Sequence, residues 1–396
     1  MDGYVQWFKE TTQKELKEQT FRVGKTNYVD VWQLVKTVHT YWAADQLCGI
    51  PLKTKESPRG KYTFTASFLG LGDTERFWEL LQKARKASDV IQGATRESVI
   101  RVGPGLDDPK GKSDPYRVDG LAKSKTTIAL LRTSAGGNSS PVSQLVKRPV
   151  NELVANIVGL ANGSSVNQAH TALNVIDFYL EDSRKENLKD ILKLIAKNDA
   201  DSNKRLRGYI REAMRLNPQF TGLWRVATVE TEVPGVGKVK PGERIWGGFK
   251  KAHLNVIPCE LSFPAHLVVP PQLMDFPSPT TVDPTCDPSK YQLNGGGFRL
   301  CIGVDFAIDV IAEILKIILP LKGLRRGPGD SGRLVKTTKI FNLVERWLLI
   351  LWSVDKLLTR GFHQTNQYVK PDGSLSDWPQ SMKIAWDDST ARYIFL

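Results

Sequence analysis

The chain has 396 residues, 41% of them apolar, and this composition excludes a disordered, collagen-like or low-complexity protein. Its four cysteines are too few for a secreted disulfide scaffold, which leaves a reducing compartment or a chemically active thiol. The net charge of +13 admits nucleic acid, an anionic membrane surface or an acidic substrate as a partner, so its distribution along the chain has to decide among them.

The N-terminal part mixes helical pattern with irregular chain. Residues 1–7 contain neither a basic segment nor an apolar core, so no signal peptide is predicted and a cytoplasmic location is expected. Apolar residues at helical spacing predict helices from Val29 to Trp42 and from Phe77 to Ala87. Residues 102–146 are rich in Gly, Pro, Ser and Lys, which predicts loops with one short helix near Thr126 to Arg132.

Three helices are predicted in the middle of the chain. The first is a long, mainly helical segment from Asn151 to Leu180. It contains a small, polar stretch from Gly159 to Ser165 that weakens a helix and therefore needs a packing or functional reason. The other two lie near Leu188 to Ala196 and from Asn203 to Leu216, and the last ends at an Asn-Pro stop.

A small β region follows these helices. β-branched residues from Trp224 to Thr231, with turn residues at Val233 to Gly237 and Lys240 to Gly242, predict short strands. Residues 258–296 are rich in proline and are predicted to be irregular. Cys301 to Leu319 is predicted to be an apolar helix that ends before a proline, and the C-terminal residues return to short strands.

Much of the excess positive charge lies between Lys322 and Lys339, where Asp330 is the single acidic residue and no aromatic residue interleaves. We therefore expect no nucleic-acid partner and predict a solvated basic loop, with peripheral contact to an anionic membrane surface as the alternative. The apolar run from Trp347 to Trp352 predicts a buried core helix, with a helix in the membrane interface as the alternative. No apolar run is long enough to predict a transmembrane helix.

The first candidate for chemistry is the glycine-rich loop from Asn294 to Gly303, in which Cys301 begins the predicted apolar helix. A helix N-terminus offers backbone N–H groups and a positive dipole end, and both stabilise a thiolate. Gly297 and Gly303 would let a flat, bulky group approach the backbone, and Arg299 could meet an anionic group at its edge. A buried structural cysteine beside a flexible turn is the alternative.

The second candidate is the pair Glu212 and Arg215, which lie on one face of the helix that ends before Pro218. Taken alone, such a pair is typically a surface ion pair that contributes little to stability. The pair becomes informative about the protein family through the order of features along the chain. A helix with Glu-x-x-Arg is followed by a small β region and then by a glycine-rich loop with a cysteine.

In this order the two motifs resemble those of the cytochrome P450 family. The residues Gly297-Phe-Arg-Leu-Cys301-Ile-Gly303 resemble its cysteine loop, and Glu212-x-x-Arg215 resembles its characteristic helix pair. The resemblance implies a mainly α fold with small β regions and a single haem domain over residues 1–396. It also implies that haem b is the cofactor and that the thiolate of Cys301 is the axial ligand of its iron.

The same resemblance implies that basic side chains contact the haem propionates. Arg225 follows the Glu-Arg pair across the next strand, where the family often places such a contact. Arg299 is a second candidate for the same role. Gly297 and Gly303 would then be the positions at which the backbone comes close to the macrocycle.

A narrower resemblance is to the C-terminal haem-thiolate domain of fungal linoleate diol synthases, which are fusions with a fatty-acid dioxygenase domain. It is carried by the segment from Trp42 to Thr54, by Tyr368-Val-Lys-Pro-Asp-Gly-Ser374, and by Met382-Lys-Ile-Ala-Trp386. The similarity extends weakly over most of the chain between these motifs. The chain contains no counterpart of the dioxygenase half.

The long helix carries the expected reaction chemistry. Ordinary monooxygenases of the family have an acid-alcohol pair there, whereas this chain has Val166-Asn-Gln-Ala-His170, which resembles the Asn-Gln segment where diol synthases handle the hydroperoxide. Asn167 and Gln168 can donate and accept hydrogen bonds but cannot act as acids. His170 could donate or accept a proton. For each residue the alternative is a polar side chain packed at a helix interface.

Some positions depart from the family pattern. Cys286 stands where an arginine would join the Glu-Arg pair, so that triad is expected to be incomplete. The segment from Ile340 to Gln367 does not match the fusions well. Cys48, Cys259 and Cys286 lack paired spacing and are predicted to be structural thiols rather than zinc ligands.

These features favour a haem-thiolate enzyme that rearranges an oxygenated lipid, in particular a fatty-acid hydroperoxide, into a diol, an epoxy alcohol or an allene oxide without external reductant. A reductase-dependent monooxygenase of a small apolar metabolite is the alternative, against which the missing acid-alcohol pair argues. A haem-binding protein without activity is a third hypothesis, against which Cys301 argues. The expected partner is a lipid or a small apolar substrate, and a reductase is expected only under the alternative.

Overall fold

Helices dominate the part of the chain that a computed structural model of the protein describes. The described residues are 2–48, 52, 159–161, 163–233, 237–254, 276, 278–295, 300–338, 366–370, 373–376 and 378–387. The chain divides into two compact units. Unit 1 comprises Met1–Leu173, Asp309–Gly332 and Ser381–Leu396, and unit 2 comprises Asn174–Ile308 and Arg333–Gln380. The prediction of a single domain over residues 1–396 stays a prediction.

The regular elements agree with the predicted mainly α fold with small β regions. The helices are α1 (Asp2–Gln19), α2 (Val31–Tyr41), α3 (Gln168–Tyr179), α4 (Lys185–Lys197), α5 (Ala200–Leu216), α6 (Phe249–Leu254) and α7 (Val304–Ile318). Two π-helical segments are Trp42–Leu47 and Gly163–Asn167. The strands are β1 (Phe21–Val23), β2 (Thr26–Asp30), β3 (Leu223–Val226), β4 (Thr231–Val233), β5 (Gly237–Val239), β6 (Arg244–Gly247), β7 (Arg325–Arg326), β8 (Lys336–Thr338), β9 (Asn366–Val369), β10 (Leu375–Ser376) and β11 (Lys383–Asp387).

Unit 1 contains a four-stranded antiparallel sheet in the order β1-β2-β11-β7. The register places Val29 of β2 opposite Ile384 of β11, and both side chains are fully buried. Helix α2 follows β2 directly and buries one side, which includes Leu34 and Val38. The sheet therefore joins the N-terminal residues to a strand near the C-terminus within one core.

The start of helix α2 corrects the predicted boundary at Val29. Asp30 keeps an extended backbone, and its Oδ1 accepts the backbone N–H of Trp32 at 3.0 Å and of Gln33 at 3.3 Å. Its Oδ2 accepts the hydroxyl of Ser381 at 2.7 Å. Asp30 is thus an N-cap that ends β2 and begins α2, and it also ties this turn to the residues before β11.

Unit 2 contains the antiparallel helix pair α4 and α5, which confirms the two helices predicted there. Asn198 ends α4 in the left-handed region at φ 48°, and Asp199 caps α5 by accepting the backbone N–H of Ser202 at 2.8 Å. Ile191 of α4 and Ile210 of α5 are fully buried. Helix α5 is the element that presents the Glu-Arg pair.

The predicted small β region is also confirmed. Strand β3 pairs with β6, and β4 pairs with β5, in two antiparallel ribbons. Gly242 lies between β5 and β6 with φ +86°, a conformation that favours glycine, and the adjacent Glu243 donates its N–H to the carbonyl of Lys240. A three-stranded sheet in the order β10-β9-β8 completes unit 2.

The basic segment after Lys322 is predicted to be a solvated loop, but three of its cations lie in strands, and one of the three, Arg325, is exposed as predicted. Arg325 and Arg326 form strand β7, and Arg325 is ion-paired with Asp387 at 2.7 Å. Lys336 starts strand β8, where its ammonium donates to Oδ1 of Asn217 at 2.7 Å. The excess charge is thus partly used in pairing and hydrogen bonding within each unit.

Several predicted features lie outside the described residues. They are the helix at 77–87, the loops and short helix within 102–146, the apolar run at 347–352 and Cys259. None of the helices that the structure describes combines the length and the apolar character needed to span a bilayer.

Candidate active site

Cys301 precedes helix α7, which begins at Val304, so the prediction that Cys301 is the first helical residue is wrong. The backbone N–H of Cys301 donates to the carbonyl of Asn294 at 2.9 Å, and this bond closes the glycine-rich loop across its base. Gly303 accepts the N–H of Ala307 at 2.8 Å as the helix starts. The thiol of Cys301 is exposed and is not in a disulfide.

The neighbours of Cys301 fit a flat apolar ligand. Leu300 is 53% exposed and Ile302 is 82% exposed, although both are large aliphatic residues. Two such side chains on either side of an exposed thiol form an apolar surface that a haem macrocycle would cover on the side of its thiolate ligand. These residues therefore fit the cofactor that the sequence implies, with Cys301 as the ligand.

Glu212 and Arg215 form a buried, bidentate ion pair in helix α5. Nε of Arg215 donates to Oε1 of Glu212 at 2.8 Å, and Nη2 donates to Oε2 at 2.7 Å. Their side chains are 0% and 1% exposed. The pair is therefore not the weak surface pair that its spacing alone would predict, because every unpaired polar atom here would be costly.

Arg215 uses all five of its N–H donors. Beyond the two bonds to Glu212, Nη1 donates to the carbonyls of His253 at 3.2 Å and Pro279 at 2.6 Å, and Nη2 donates to the carbonyl of Thr281 at 2.9 Å. Its guanidinium also lies over the ring of Phe276, 4.4 Å from the centroid. One side chain thus fixes helix α6 and the chain around 276–281 to helix α5.

Glu212 receives two further hydrogen bonds, from Tyr291 and from the backbone of Asp283. The hydroxyl of Tyr291 donates to Oε1 at 2.7 Å, and the N–H of Asp283 donates to Oε2 at 3.0 Å. Burial and the hydrogen bond to Glu212 raise the pKa of Tyr291 well above its ordinary value, so the phenol stays protonated and donates. The phenol of Tyr291 thus gives Glu212 a side-chain donor besides Arg215, a role for which the family pattern predicts a second arginine.

Cys286, at the position where that arginine was expected, is half-buried beside the same group. Burial, and then the charges of Asp283 and Glu212, raise the pKa of its thiol above the ordinary value. A thiol with a raised pKa is a poor nucleophile and a poor metal ligand at neutral pH. This agrees with the prediction of a structural thiol.

The amides of the long helix lie in unit 1, at the junction of a π-helical segment with helix α3. Asn167 is the last residue of that segment and is exposed, whereas Gln168 and His170 are buried in the first turn of α3. Within the described part of the chain, Oε1 of Gln168 has no hydrogen-bond partner. The ring of His170 lies 6.3 Å from the ring of Trp32 on helix α2.

The described part of this helix holds no acid-alcohol pair. Asp177 is the only carboxylic acid between Gly163 and Tyr179, and its Oδ1 accepts the backbone N–H of Leu334 at 3.3 Å. The only threonine, Thr171, donates its hydroxyl to the carbonyl of Asn167 at 2.8 Å. Both side chains thus form other hydrogen bonds, and the two do not form a proton-delivery pair with each other.

The other predicted site residues are placed as follows. Arg225 lies on strand β3 opposite Ile245 and is exposed. Gly303 lies just before helix α7. Gly297 and Arg299 are outside the described residues. Arg225, Cys301 and Gly303 share unit 2 with the Glu212–Arg215 pair, and their haem-binding roles stay predictions.

Three residues that contribute to this arrangement carry no local sequence signal. They are Tyr291, which bonds Glu212; His253, which bonds Gln292; and Gly208. A Cβ at Gly208 would overlap the backbone of Pro284, so only glycine allows the chain around 284 to pack on helix α5. Among the described residues, no cluster of three or more histidine, cysteine or acidic side chains could hold a metal ion.

Comparison with known proteins finds relatives that share most of the length of this chain. The chain matches no known protein-family profile. It is 26% identical over 408 residues to a bifunctional dioxygenase–epoxy alcohol synthase of Fusarium oxysporum, which covers 97% of this chain and 27% of that protein. It is 24% identical to Psi-producing oxygenase A of Emericella nidulans, over 96% of this chain and 32% of that protein. The chain thus spans about a third or less of the length of these curated relatives.

Solved structures show the fold. CYP109E1 of Bacillus megaterium in complex with corticosterone matches 86% of this chain and 76% of its own, with a TM-score of 0.59 and 16% identity. The LnmA cytochrome P450 hydroxylase of Streptomyces atroolivaceus matches 86% of this chain and 72% of its own, with a TM-score of 0.55 and 17% identity. The chain therefore has the cytochrome P450 fold, and the predicted resemblance to fungal oxylipin enzymes and the prediction of an enzyme are confirmed.

Proposed function

We propose that this protein, which has the cytochrome P450 fold, is a haem-thiolate enzyme that rearranges a fatty-acid hydroperoxide without external reductant. The observation that carries the proposal is the composition of the helix between Gly163 and Tyr179. Amides and an imidazole stand near its start, while its one acid and its one threonine hydroxyl are bonded elsewhere. A hydroperoxide already contains reduced oxygen, so its rearrangement does not need the proton delivery that activation of molecular oxygen requires.

Cys301 would hold the cofactor, and Arg225 and Arg299 would contact its propionates. When bound, a thiolate-ligated haem iron supplies electron density that favours cleavage of an O–O bond. The exposed Leu300 and Ile302 would pack against the macrocycle. Because the N–H of Cys301 is bonded to Asn294, the loop fixes the backbone from which the thiolate projects.

Asn167, Gln168 and His170 would handle the substrate's oxygen atoms. An amide can donate a hydrogen bond to a hydroperoxide through its nitrogen and accept one through its oxygen, without releasing a proton. The carboxamide oxygen of Gln168, buried and without a hydrogen-bond partner among the described residues, supports a role as acceptor for a polar group of the substrate. The imidazole of His170 would accept or donate a proton at one ring nitrogen.

The relatives support a lipid substrate. The name of the Fusarium oxysporum relative pairs a dioxygenase with an epoxy alcohol synthase, and another relative, 23% identical over 57% of this chain, is a 7,8-linoleate diol synthase of Pyricularia oryzae. We therefore infer that the product is a diol, an epoxy alcohol or an allene oxide. The substrate would come from a reaction of the dioxygenase class, which adds molecular oxygen to an unsaturated fatty acid.

The test is incubation of the haem-loaded protein with a panel of fatty-acid hydroperoxides in the absence of NADPH and reductase, with identification of the products. We expect turnover that retains both oxygen atoms in a diol or an epoxy alcohol, or that releases one of them as water if the product is an allene oxide. Cys301→Ala should abolish it together with the red-shifted Soret band of the reduced carbonyl complex. Turnover only with NADPH and a reductase would replace this proposal with a monooxygenase, and no turnover of any hydroperoxide by haem-loaded protein would overturn it.

Substitution of Asn167 distinguishes a role in handling the substrate from a general loss of folding or haem binding. Asn167→Ala is expected to lower turnover of the hydroperoxide strongly while haem content stays unchanged. Gln6→Ala removes an exposed amide from helix α1 and is the matched control, with no expected effect. Equal activity of both variants would exclude a role for Asn167 in handling the substrate.

A further inference from the structure

The chain that enters the cysteine loop is fixed at two consecutive residues. The side chain of Tyr291 donates to Glu212 at 2.7 Å, and the backbone N–H of Gln292 donates to Nε2 of His253 at 2.9 Å. After these two bonds come Asn294, whose carbonyl closes the loop, and three consecutive glycines in the sequence before Cys301. Glycine restricts the backbone least, so the position of Cys301 depends on how the two ends of the loop are held.

The hydrogen bonds of His253 define its tautomer. Nδ1 lies 2.7 Å from the carbonyl of Phe249, one turn earlier in helix α6, and a carbonyl can only accept. Nε2 faces the backbone N–H of Gln292, which can only donate. The imidazole therefore carries its proton on Nδ1 and presents a lone pair at Nε2. Protonated or in the other tautomer, it could not accept from Gln292.

The ring of His253 is held in this orientation by its surroundings. The residue is 2% exposed, and its ring lies 5.7 Å from the ring of Phe276. Its own carbonyl accepts a hydrogen bond from Arg215 at 3.2 Å. His253 thus connects three parts of unit 2: helix α5 through its backbone, helix α6 through Nδ1, and the entry of the cysteine loop through Nε2.

We propose that His253 is a positioning residue for Cys301: its Nε2 holds the backbone of Gln292 and thereby sets where the loop presents the thiolate. The proposal rests on the proposed haem-thiolate function, since it assigns His253 to the placement of the cofactor's ligand. The loop has its other fixed end at helix α7, after Cys301. Without the hydrogen bond at Gln292, the bond from the Tyr291 side chain to Glu212 would be the last one that fixes the chain before the glycines. The backbone that follows Tyr291 could then shift.

Two substitutions of His253 distinguish the effect of the hydrogen-bond acceptor at Nε2 from the effect of the packed ring. His253→Phe keeps a ring against Phe276 and removes the lone pair, whereas His253→Gln offers an amide oxygen near the position of Nε2. His39→Phe is the matched control, because His39 is also buried and its Nδ1 also lies 2.7 Å from the carbonyl one turn earlier, that of Val35. His39 lies in unit 1, on helix α2, whereas Cys301 lies in unit 2.

The measurement is the fraction of bound haem that shows the red-shifted Soret band in the reduced carbonyl complex, which reports thiolate ligation and needs no substrate. A net contribution of about 1 kcal/mol from one hydrogen bond corresponds to a change of about fivefold in the ratio of thiolate-ligated to unligated haem. We expect His253→Phe to lower this ratio by about that factor. His253→Gln should retain most of it, and His39→Phe should leave it unchanged.

The outcomes separate this inference from the proposed function. If the unsubstituted protein binds haem without the red-shifted band, the haem-thiolate function fails. If it shows the band and His253→Phe shows it to the same extent, only the positioning role fails. Should His253→Phe not fold, His253→Asn takes its place: its shorter amide can reach the carbonyl of Phe249 but not Gln292. Equal thiolate ligation in His253→Asn and His253→Gln would then overturn the inference.

Discussion

The hydroxyl of Tyr291 donates to the carboxylate of Glu212 at 2.7 Å across a sequence separation of 79 positions. The carboxylate is fully buried and also binds Arg215, so the tyrosine completes the hydrogen bonding of a charge that water cannot reach. This bond ties the chain before the cysteine loop to the helix that carries the Glu-Arg pair.

Tyr291→Phe should lower the free energy of unfolding by about 1.5 to 3 kcal/mol, the range for a hydrogen bond to a charged group. Chemical denaturation followed by circular dichroism measures this change. Tyr4→Phe is the control, because Tyr4 donates to the carboxylate of Asp309 at 3.0 Å in a partly exposed setting, where a smaller loss is expected. Equal losses in the two variants would contradict the importance of burial at Glu212.

Arg215→Leu should destabilise the protein by about 3 to 5 kcal/mol, because it leaves the buried Glu212 without its counter-charge and three carbonyls without a donor. Thermal unfolding and haem content both report this loss. Lys189→Ala breaks the exposed pair with Glu186 and should change stability by less than about 0.5 kcal/mol. A comparable effect of the two substitutions would refute the distinction between buried and exposed pairs.

Gly208→Ala should lower stability by about 1 to 3 kcal/mol, because the new methyl group overlaps the backbone of Pro284 and the packed segment must move. Unfolding by denaturant measures the loss. Gly3→Ala is a matched helical control: nothing lies within 4 Å of its Cβ position, so the change should be neutral or stabilising. If Gly208→Ala lowered the free energy of unfolding no more than Gly3→Ala does, the close approach of Pro284 to Gly208 would be contradicted.

His39 should make the protein less stable in mild acid. Burial is the main cause that lowers its pKa from 6.5 to about 4. Between these values the unfolded chain binds a proton that the folded chain does not, so stability falls as the pH drops from 6.5 towards 4, by up to about 3 kcal/mol. As the pH falls from 6.5 to 4, the free energy of unfolding of the unsubstituted protein should therefore decrease more than that of His39→Phe. Parallel stability curves for the two proteins would exclude the effect.

Lys336 should make stability depend on pH in the same direction as His39 does, but in the alkaline range. Burial is the main cause that lowers its pKa from 10.5 to about 8, against the raising effect of Asp177 and Glu181. From pH 8 to 10.5 the unfolded chain binds the additional proton, so stability rises with pH, by up to about 3 kcal/mol. The difference in unfolding free energy between the unsubstituted protein and Lys336→Met should grow over this range. A constant difference from pH 7 to 10.5 would contradict the burial of this ammonium.

The helices α4 and α5 and the small β region could be predicted because their signals are local. Apolar residues recur at helical spacing around Ile191 and Ile210, Asn198 and Asp199 mark the junction, and Gly242 marks a turn. Each of these signals acts within a few residues. The Glu212–Arg215 pair could be recognised for the same reason, since its two residues are one helical turn apart.

The environment of the pair could not be predicted in this way. The burial of Glu212, the bond from Tyr291 and the bond between His253 and Gln292 join residues far apart in sequence, and no periodicity encodes them. The start of helix α7 was misplaced for a related reason. The N–H of Cys301 is taken by Asn294, and this contact is decided by the path of the loop rather than by helix propensity.

The bonds that reach helix α5 from Pro279, Thr281, Asp283 and Tyr291 span 64 to 79 positions. The pairing of α4 with α5, in contrast, closes a turn of a few residues. Closing a long stretch of chain costs more entropy than closing a short turn, and contacts of long sequence separation slow folding. We therefore expect the helix hairpin to form first and the cysteine loop to take its final position late, so that the cofactor's ligand is among the last parts of the chain to be ready.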